Sequence, residues 1–186
     1  MSHRNKIIPK NANDYFYFQA LSSSTVCDNF DCGISEYNDY LGNDALRSMN
    51  DHIALTWLLT ERATGRIAAY MSLVMDAIKL SFTEKELHNL NYPFRTIPAM
   101  KIAKLAVEQS LSEKYNGIGS FMIDSAERIA WACNTDYCAC RFLTVDADLE
   151  HNEHVIVFYE KNGFIKNSEF YNKNRKTISM RKDIYN

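Results

Sequence analysis

The pair Gly117 and Gly119 constrains this chain more than any other feature of its sequence. Both lie in the run KYNGIG, where an apolar, alternating stretch, AMKIAKLAV, gives way to a helical pattern. The alternation predicts a central strand, and the residues after the glycines predict a helix that begins near Gly119. The buried face of that helix is expected to comprise Ile118, Met122, Ala126, Ile129 and Cys133.

A turn that leads from a strand into a helix is a candidate phosphate site. The first N–H groups of a helix have no partner within the helix, and glycine lets an anion approach them closely. The Gly-Lys-Ser/Thr of a nucleoside-triphosphate loop is absent, and Met122 stands where a dinucleotide fingerprint has its third glycine. A tight turn that only admits close helix–strand packing is the alternative.

The rest of the chain mixes strand and helix patterns. DYFYFQAL predicts a strand, and Ser35 is expected to cap a helix in EYNDYLGNDALRSM. HIALTWLLT and RIAAYMSLVM predict two strands joined by a turn at Gly65. SFTEKELHNL predicts a short helix, ACRFLTVDA a strand, EHVIVFYEKN a helix closed by Gly163, and GFIKN with KTISMR a last strand pair. Hairpins and crossovers together predict a mixed α/β sheet.

Length and composition favour one domain over residues 1–186. The chain is 46% apolar, enough for one sizeable core. Five cysteines include Cys138 and Cys140, but no second pair or histidine cluster lies at zinc-ligand spacing, so we expect free thiols and no metal. No apolar run approaches the roughly 20 residues that span a bilayer, and the first residues are polar. These features favour a cytoplasmic protein without a membrane partner.

Charge is unevenly distributed along the chain. The net charge is −2, but residues 161–182 carry seven basic residues and one acid, a local net charge of +6. Basic clusters attract nucleic acid. The alternative is a solvated hairpin whose lysines protect an edge strand from unwanted pairing.

The chain from about Ile97 to Phe164 resembles the GNAT superfamily of acetyl-CoA-dependent N-acetyltransferases. That family has a strand ending in Leu-Ala-Val, then Arg/Gln-x-x-Gly-x-Gly/Ala opening a helix, matched here by LAV and KYNGIG. Its downstream Asn-x-x-Ala-x-x-x-Tyr segment before Gly-Phe is matched by Asn152, Tyr159 and NGF. Lys114 and Val155 depart from the pattern, although a lysine can still face a pyrophosphate as a point charge.

The resemblance implies a fold, a co-substrate and a set of binding residues. The implied fold is a single α/β domain with a mixed, mostly antiparallel sheet, a splayed central strand pair and flanking helices. The co-substrate is acetyl-CoA, whose pantetheine arm pairs with the strand that ends at Val107. The implied binding residues are Leu105, Ala106, Val107, Lys114, Tyr115, Asn116, Gly117, Ile118, Gly119, Ser120, Asn152 and Tyr159.

The resemblance also implies a direct attack of an amine on the thioester. The N–H of Val107 or its neighbour would polarise the carbonyl, and Tyr159 would donate a proton to the departing thiolate. Glu108 and Asp146 are candidates for a base that acts through water. The alternatives are that Tyr159 is a core residue, that both acids are only solvated loop residues, and that Asn152 is a helix cap.

The acceptor of the acetyl group is not specified by these motifs. A small-molecule or protein amine is the first hypothesis. FDCGISEYNDYL near the amino end resembles a narrower branch, the toxins that acetylate aminoacyl-tRNA and are neutralised by antitoxins. In that case Lys173, Arg175 and Lys176, interleaved with Phe170 and Tyr171, would contact tRNA. A non-catalytic acyl-CoA sensor is a third hypothesis, and a homodimer is a further expectation.

Overall fold

The computed structural model describes residues 5–7, 10–167 and 176–185. Its strands are β1 (Asn5–Lys6), β2 (Phe16–Ala20), β3 (Leu55–Glu61), β4 (Ile67–Ile78), β5 (Ile97–Val107), β6 (Tyr115–Asn116), β7 (Phe142–Asp148), β8 (Ile165–Lys166) and β9 (Thr177–Asp183). Its helices are α1 (Ala12–Tyr15), α2 (Ser35–Asp39), α3 (Ala45–Asn50), α4 (Phe82–Leu87), α5 (Gln109–Lys114), α6 (Ile118–Asp136) and α7 (Val155–Lys161), with a π-helical turn, Tyr40–Asp44, between α2 and α3.

The sheet has seven strands in the order β2-β3-β4-β5-β7-β9-β8, and β1 pairs with β6 in a separate parallel ladder. Antiparallel ladders join β2 to β3, β3 to β4, β7 to β9 and β8 to β9, whereas β5 and β7 are parallel. Gly65 has a φ of +72° in the turn between β3 and β4. The predicted mixed, mostly antiparallel α/β sheet is confirmed. The single domain and the splay of the central strands stay predictions.

The chain divides into two compact units. The first comprises Met1–Val74 and Ala103–Ser125, and the second comprises Met75–Ile102 and Ala126–Asn186. The core of the first unit lies where the segment from α2 to α3 packs on the sheet. The buried residues of this core are Leu21, Phe30, Leu41, Ala45, Leu58, Ile67, Tyr70 and Ala106.

The second unit contains a buried ionic network around Arg181 on β9. The Arg181 guanidinium donates from Nη1 to Glu84 and Asn167, at 2.7 and 2.6 Å, and from Nε to Nε2 of His88 at 3.3 Å. Because Nε2 accepts, Nδ1 carries the proton and donates to Asp183 at 2.8 Å. Buried charges are costly unless paired, so the network fixes α4 against β9.

The first long helical region differs from its prediction in two ways. Ser35 is the first helical residue, Ile34 occupies the cap position, and no side chain caps this end. The π-helical turn then interrupts the α-helix between Asp39 and Ala45. Leu41, within the π-helical turn, and Ala45, directly after it, are nevertheless buried in the core of the first unit.

Candidate active site

The Leu-Ala-Val segment forms the end of β5 in the first unit. Ala106 is buried in the core, whereas Leu105 and Val107 are half-buried on the other face, as strand alternation requires. The amide of Glu108 donates to the carbonyl of Ala68 at 2.9 Å. Because the N–H of Glu108 is used in this bond, it is not available to polarise the carbonyl of a thioester. The N–H of Val107 is therefore the better candidate for that role.

Glu108 is buried and is held by the start of α5. Its carboxylate accepts from the amide of Leu111 at 2.7 Å, which caps the helix, and from Nη2 of Arg66 at 2.6 Å. The hydroxyl of Ser110 is a further donor, about 3 Å away. The sequence did not predict α5, and its presence gives Glu108 a structural role beside the proposed one as a base.

Lys114 and Tyr115 share one buried carboxylate. Lys114 Nζ and the Tyr115 hydroxyl each lie 2.8 Å from Oε1 of Glu61, and Thr64 donates to Oε2 at 2.6 Å. Despite burial, these donors lower the pKa of Glu61 and keep the carboxylate charged. The hydrogen bond to Glu61 raises the pKa of Lys114. Lys114 therefore pairs with an acid instead of standing as an uncompensated cation.

Gly117 lies against the first strand of the chain. Its φ is +93°, and a Cβ added there would stand 2.8 Å from the carbonyl oxygen of Ile7. The amide of Ile7 donates to the carbonyl of Asn116 at 2.6 Å and extends the β1–β6 ladder. Gly117 thus has a packing reason to be glycine, in addition to any ligand.

The first turn of α6 follows Gly117 directly. The amide of Phe121 donates to the Gly117 carbonyl at 2.9 Å, the first α-helical bond of this 19-residue helix. Ile118 is buried, whereas Gly119 and Ser120 are half-buried. The amides of these three residues precede the first donor of the helix and lie at the positive end of its dipole, the geometry that binds phosphate.

Tyr159 lies on α7 in the second unit, and its side chain is buried. Its ring packs edge-on against Phe158 and Phe164, with centroids 5.1 and 5.2 Å away. The carbonyl of Tyr159 accepts from the amide of Phe164 after a turn at Gly163, whose φ is +85°. Burial, together with the carboxylate of Asp148, raises the pKa of Tyr159 well above its ordinary value. The phenol is therefore protonated throughout the neutral range.

Asp146 and Asn152 also lie in the second unit. Asp146, exposed on β7, accepts from Nζ of Lys101 at 2.5 Å. Asn152 accepts from the amide of His154 at 2.9 Å, and His154 is the cap residue of α7. Of the two roles considered for Asn152, the helix cap belongs to His154, two residues later, and the Asn152 side chain orders the turn before the helix. A contact of Asn152 with the cofactor stays a prediction.

The FDCG segment contains a site feature that the sequence did not predict. Oδ1 of Asp31 accepts from the amide of Gly33 at 2.8 Å and from the amide group of Asn38 at 2.9 Å, and these bonds lower the pKa of Asp31. The Asp31 carbonyl accepts from the amide of Gln109 at 2.9 Å. A Cβ at Gly33 would collide with the Gln109 side chain. The loop therefore packs beside Gln109, two residues after the end of β5.

The basic carboxyl segment is largely paired where the structure describes it. Arg181 is buried in its network, and three lysines meet acids in the ion pairs Lys166–Glu160, Lys176–Glu150 and Lys182–Glu127. Lys173, Arg175, Phe170 and Tyr171 lie outside the described residues. The pairs favour the solvated-hairpin alternative for this segment.

Two negative findings concern metals and membranes. Within the described ranges, no group of three or more His, Cys, Asp or Glu side chains could hold a metal ion. No helix among the same residues is long and apolar enough to cross a membrane.

Comparisons with known proteins place the chain by its fold. No family model and no curated protein matches the sequence. Among solved structures, AtaT complexed with acetyl-methionyl-tRNAfMet is similar, with a TM-score of 0.76 and 20% identity over 91% of this chain and 95% of that chain. A tyrosine-to-phenylalanine mutant of KacT matches with a TM-score of 0.73 and 19% identity over 90% and 95%.

AtaTR bound with acetyl-CoA is a third similar structure. Its TM-score is 0.70, with 20% identity over 90% of this chain and 94% of that one. At such identities the likeness concerns the fold. The chain has the GNAT fold, the same fold as AtaT and KacT.

Proposed function

We propose that this chain is an acetyl-CoA-dependent acetyltransferase that acetylates the α-amino group of aminoacyl-tRNA. The observation that carries the proposal is the match over nine-tenths of the chain to AtaT in complex with acetyl-methionyl-tRNAfMet, which is the product of such a transfer. A match of this extent involves most of the chain and is not confined to one motif.

The acetyl-CoA pyrophosphate would bind the first amides of α6. Ile118, Gly119 and Ser120 supply these N–H groups, and Gly117 holds the preceding turn in its left-handed conformation. Leu105 and Val107 would pair with the pantetheine amides as an added strand. Ala106 supports them from the core, and Tyr115 and Asn116 support the turn through Glu61 and β1.

In the transfer step the amine nitrogen forms a bond to the thioester carbonyl carbon. The amide of Val107 stabilises the resulting oxyanion. When the C–S bond breaks, Tyr159 donates its proton to the thiolate, whose conjugate acid has a pKa near 8.5. The proton lost by the amine passes to water, and water returns a proton to the Tyr159 phenolate.

The ion pairs of the two candidate bases favour an acceptor with a weakly basic amine. Glu108 is tied to Arg66, and Asp146 is tied to Lys101. An alkyl amine with a pKa of about 10.4 needs a strong base, whereas an α-amine ionises near 8 or below. An aminoacyl ester therefore needs little help from Glu108 or Asp146, and either carboxylate acts at most through water.

The similarity to AtaT also suggests binding partners for this chain. AtaT has been solved bound to the C-terminus of the antitoxin AtaR, and we propose that an antitoxin neutralises this chain. Lys173, Arg175 and Lys176 remain proposed tRNA contacts, and a homodimer remains a proposed assembly.

An enzyme for small-molecule or protein amines is the second candidate. The net charge of −2 and the ion pairs of the carboxyl segment favour it, since both weaken the attraction for a polyanion. A sensor that binds acetyl-CoA without turnover is the remaining hypothesis.

Transfer of labelled acetyl groups separates the three functions. The purified chain is incubated with labelled acetyl-CoA and charged tRNA, uncharged tRNA, or a panel of polyamines and peptides. Label on charged tRNA alone supports the proposal, and label on amines alone supports the second candidate. Calorimetric binding of acetyl-CoA without transfer to any acceptor would leave only the sensor.

A further inference from the structure

Exposed aromatic side chains in the second unit take no part in the proposed transfer. Phe82 on α4 is 78% exposed, and Tyr92 and Phe94 in the following loop are 59% and 64% exposed. Tyr185, after β9, is also exposed. We call these four residues the aromatic surface. A cluster of large apolar rings exposed to solvent is typical of an interaction site, whereas single exposed rings are not.

Tyr92 stands between two neighbouring clefts and lines both of them. Their volumes are about 680 and 300 Å³. Further lining residues are Phe82, Asn89 and Asn91 in the larger cleft and Phe94, Arg141 and Tyr185 in the smaller one. Each cleft therefore offers flat rings together with amide or guanidinium donors.

Local contacts hold these rings in place. The ammonium group of Lys85 donates to the carbonyl of Phe94 at 2.8 Å and ties the loop to α4. The rings of Tyr92 and Phe94 lie within 23° of parallel, and the Arg141 guanidinium lies 4.8 Å from the centre of the Tyr185 ring. The flat faces are thus oriented before a ligand arrives, which lowers the entropic cost of binding.

The charge around the aromatic surface is positive. Between Lys79 and Arg95 the exposed or half-buried ionic side chains are Lys79, Lys85, Glu86 and Arg95. Glu84 is buried in its pair with Arg181 and presents no charge to the clefts. The whole segment has a net charge of +1, and its exposed or half-buried side chains have a net charge of +2, in a chain whose overall charge is −2. This exposed charge complements an anionic ligand.

We propose that the aromatic surface binds two adjacent unpaired nucleotides of an RNA, with one base in each of the two clefts that Tyr92 lines. Rings stack on bases, amides such as those of Asn89 and Asn91 hydrogen-bond to base edges, and cations meet the phosphates. An apolar peptide would use the rings but neither the amides nor the positive charge. This inference deepens the proposed function, because aminoacyl-tRNA ends in unpaired nucleotides.

The test measures binding of a labelled single-stranded RNA of about twelve nucleotides by fluorescence anisotropy. Tyr92→Leu keeps an apolar side chain and removes the flat ring, so the Kd should rise about 5- to 150-fold. Tyr92→Phe keeps the ring and should bind like the wild type. Tyr137→Leu, at a tyrosine that is 84% exposed and lines neither cleft, is the matched control. In Arg95→Ala the negative slope of the logarithm of the RNA-binding constant against the logarithm of the salt concentration should become less steep by about 0.7.

Two results would overturn the inference. One is an unchanged Kd in Tyr92→Leu. The other is a wild-type dimer, seen by sedimentation, that Tyr92→Leu converts to monomers, because the aromatic surface would then join two copies of the chain. RNA binding that depends on Tyr92, without acetylation of any charged tRNA, would refute the proposed function and leave the aromatic surface as a binding site. If Tyr92→Leu binds RNA as the wild type does and acetylates charged tRNA at an unchanged kcat/KM, RNA binding by the aromatic surface is refuted. The proposed function is then unaffected.

Discussion

The ammonium group of Lys114 donates to the buried carboxylate of Glu61, with 2.8 Å between Nζ and Oε1. The two residues are 53 positions apart, and the bond ties the end of β3 to the segment just before the glycine turn. Since Tyr115 shares the same oxygen, one carboxylate orders the last residue of α5 and the first residue of β6, just before the turn.

Replacing Glu61 should loosen the turn. Glu61→Gln removes the charge that Lys114 and Tyr115 share, so the free energy of unfolding should fall by about 1.5–3 kcal/mol. The KM for acetyl-CoA should rise while kcat stays unchanged, because in the proposed function the turn binds the co-substrate and does not react. Urea unfolding and steady-state kinetics measure both effects.

Asp146→Asn is the control for Glu61→Gln. It removes an exposed carboxylate that is also paired with a lysine, and an exposed pair contributes about 1 kcal/mol or less. Equal losses of stability in the two variants would show that burial of Glu61 adds nothing to its ion pair.

Gly117→Ala tests the packing of the turn. A left-handed φ costs a residue with a Cβ about 1–2 kcal/mol, and the close approach to the Ile7 carbonyl adds about 1–3 kcal/mol of overpacking. Gly65→Ala is the matched control, since Gly65 also has a positive φ but open space at its Cβ position. Thermal unfolding should show a larger loss of stability in Gly117→Ala than in Gly65→Ala. Equal losses would mean that the backbone at Ile7 moves aside without an energetic penalty.

Tyr159→Phe tests the proton donor. The change removes one hydroxyl from a well-packed ring, so kcat should fall about 10²- to 10⁴-fold while the affinity for acetyl-CoA changes little. Tyr137→Phe, at an exposed tyrosine, should leave kcat unchanged. An undiminished kcat in Tyr159→Phe would remove the phenol from the mechanism.

The pKa of Tyr159 also leads to a prediction for kcat at alkaline pH. Burial raises the pKa of Tyr159 above its ordinary value of about 10, so its deprotonation is shifted to higher pH. The kcat of the wild type should therefore not decline through loss of this proton below about pH 10. A decline at pH 8 to 9 that is absent in Tyr159→Phe would contradict the raised pKa.

His88 should make the stability of the second unit depend on pH. Burial lowers the pKa of His88 below its ordinary value of about 6.5, and Arg181 acts in the same direction, against the opposing effect of Asp183. The unfolded chain therefore binds a proton more readily than the folded one, and stability is lost as the pH falls below about 6.5.

Denaturant unfolding between pH 7 and 5 measures this dependence. His88→Gln keeps a side chain that can hydrogen-bond but does not titrate, so the decline towards pH 5 should become shallower. His52→Gln, at an exposed histidine, should leave the wild-type slope intact. A slope unaffected by His88→Gln would assign the pH dependence to other groups.

The sequence predicted the elements whose signals are local. The alternation of β5, the apolar face that opens at Ile118, the turn at Gly65 and the close of α7 at Gly163 all depend on residues within a few positions of one another. The motif residues could therefore be placed on the correct strand, turn and helix, although two of the five residues of the predicted stripe, Ile129 and Cys133, are only half-buried.

The contacts that a sequence could not predict are the distant ones. Glu61 is the last residue of a hairpin strand, and no local pattern connects it to Lys114. The pairing of β1 with β6 is likewise invisible, because each strand has only two residues. The π-helical turn was missed for another reason, since its apolar spacing differs from an α-helix by only one residue.

The β1–β6 ladder has a consequence for the order in which the molecule assembles. Asn5 and Tyr115 are about 110 residues apart in sequence, so their pairing must close a loop that includes most of the first unit, and such contacts form late because the entropy of closure comes first. During synthesis the amino-terminal strand emerges long before its partner exists. The glycine turn, at residue 117 of 186, would then reach its final shape only after about two thirds of the chain has been made, and a shorter nascent chain would lack it.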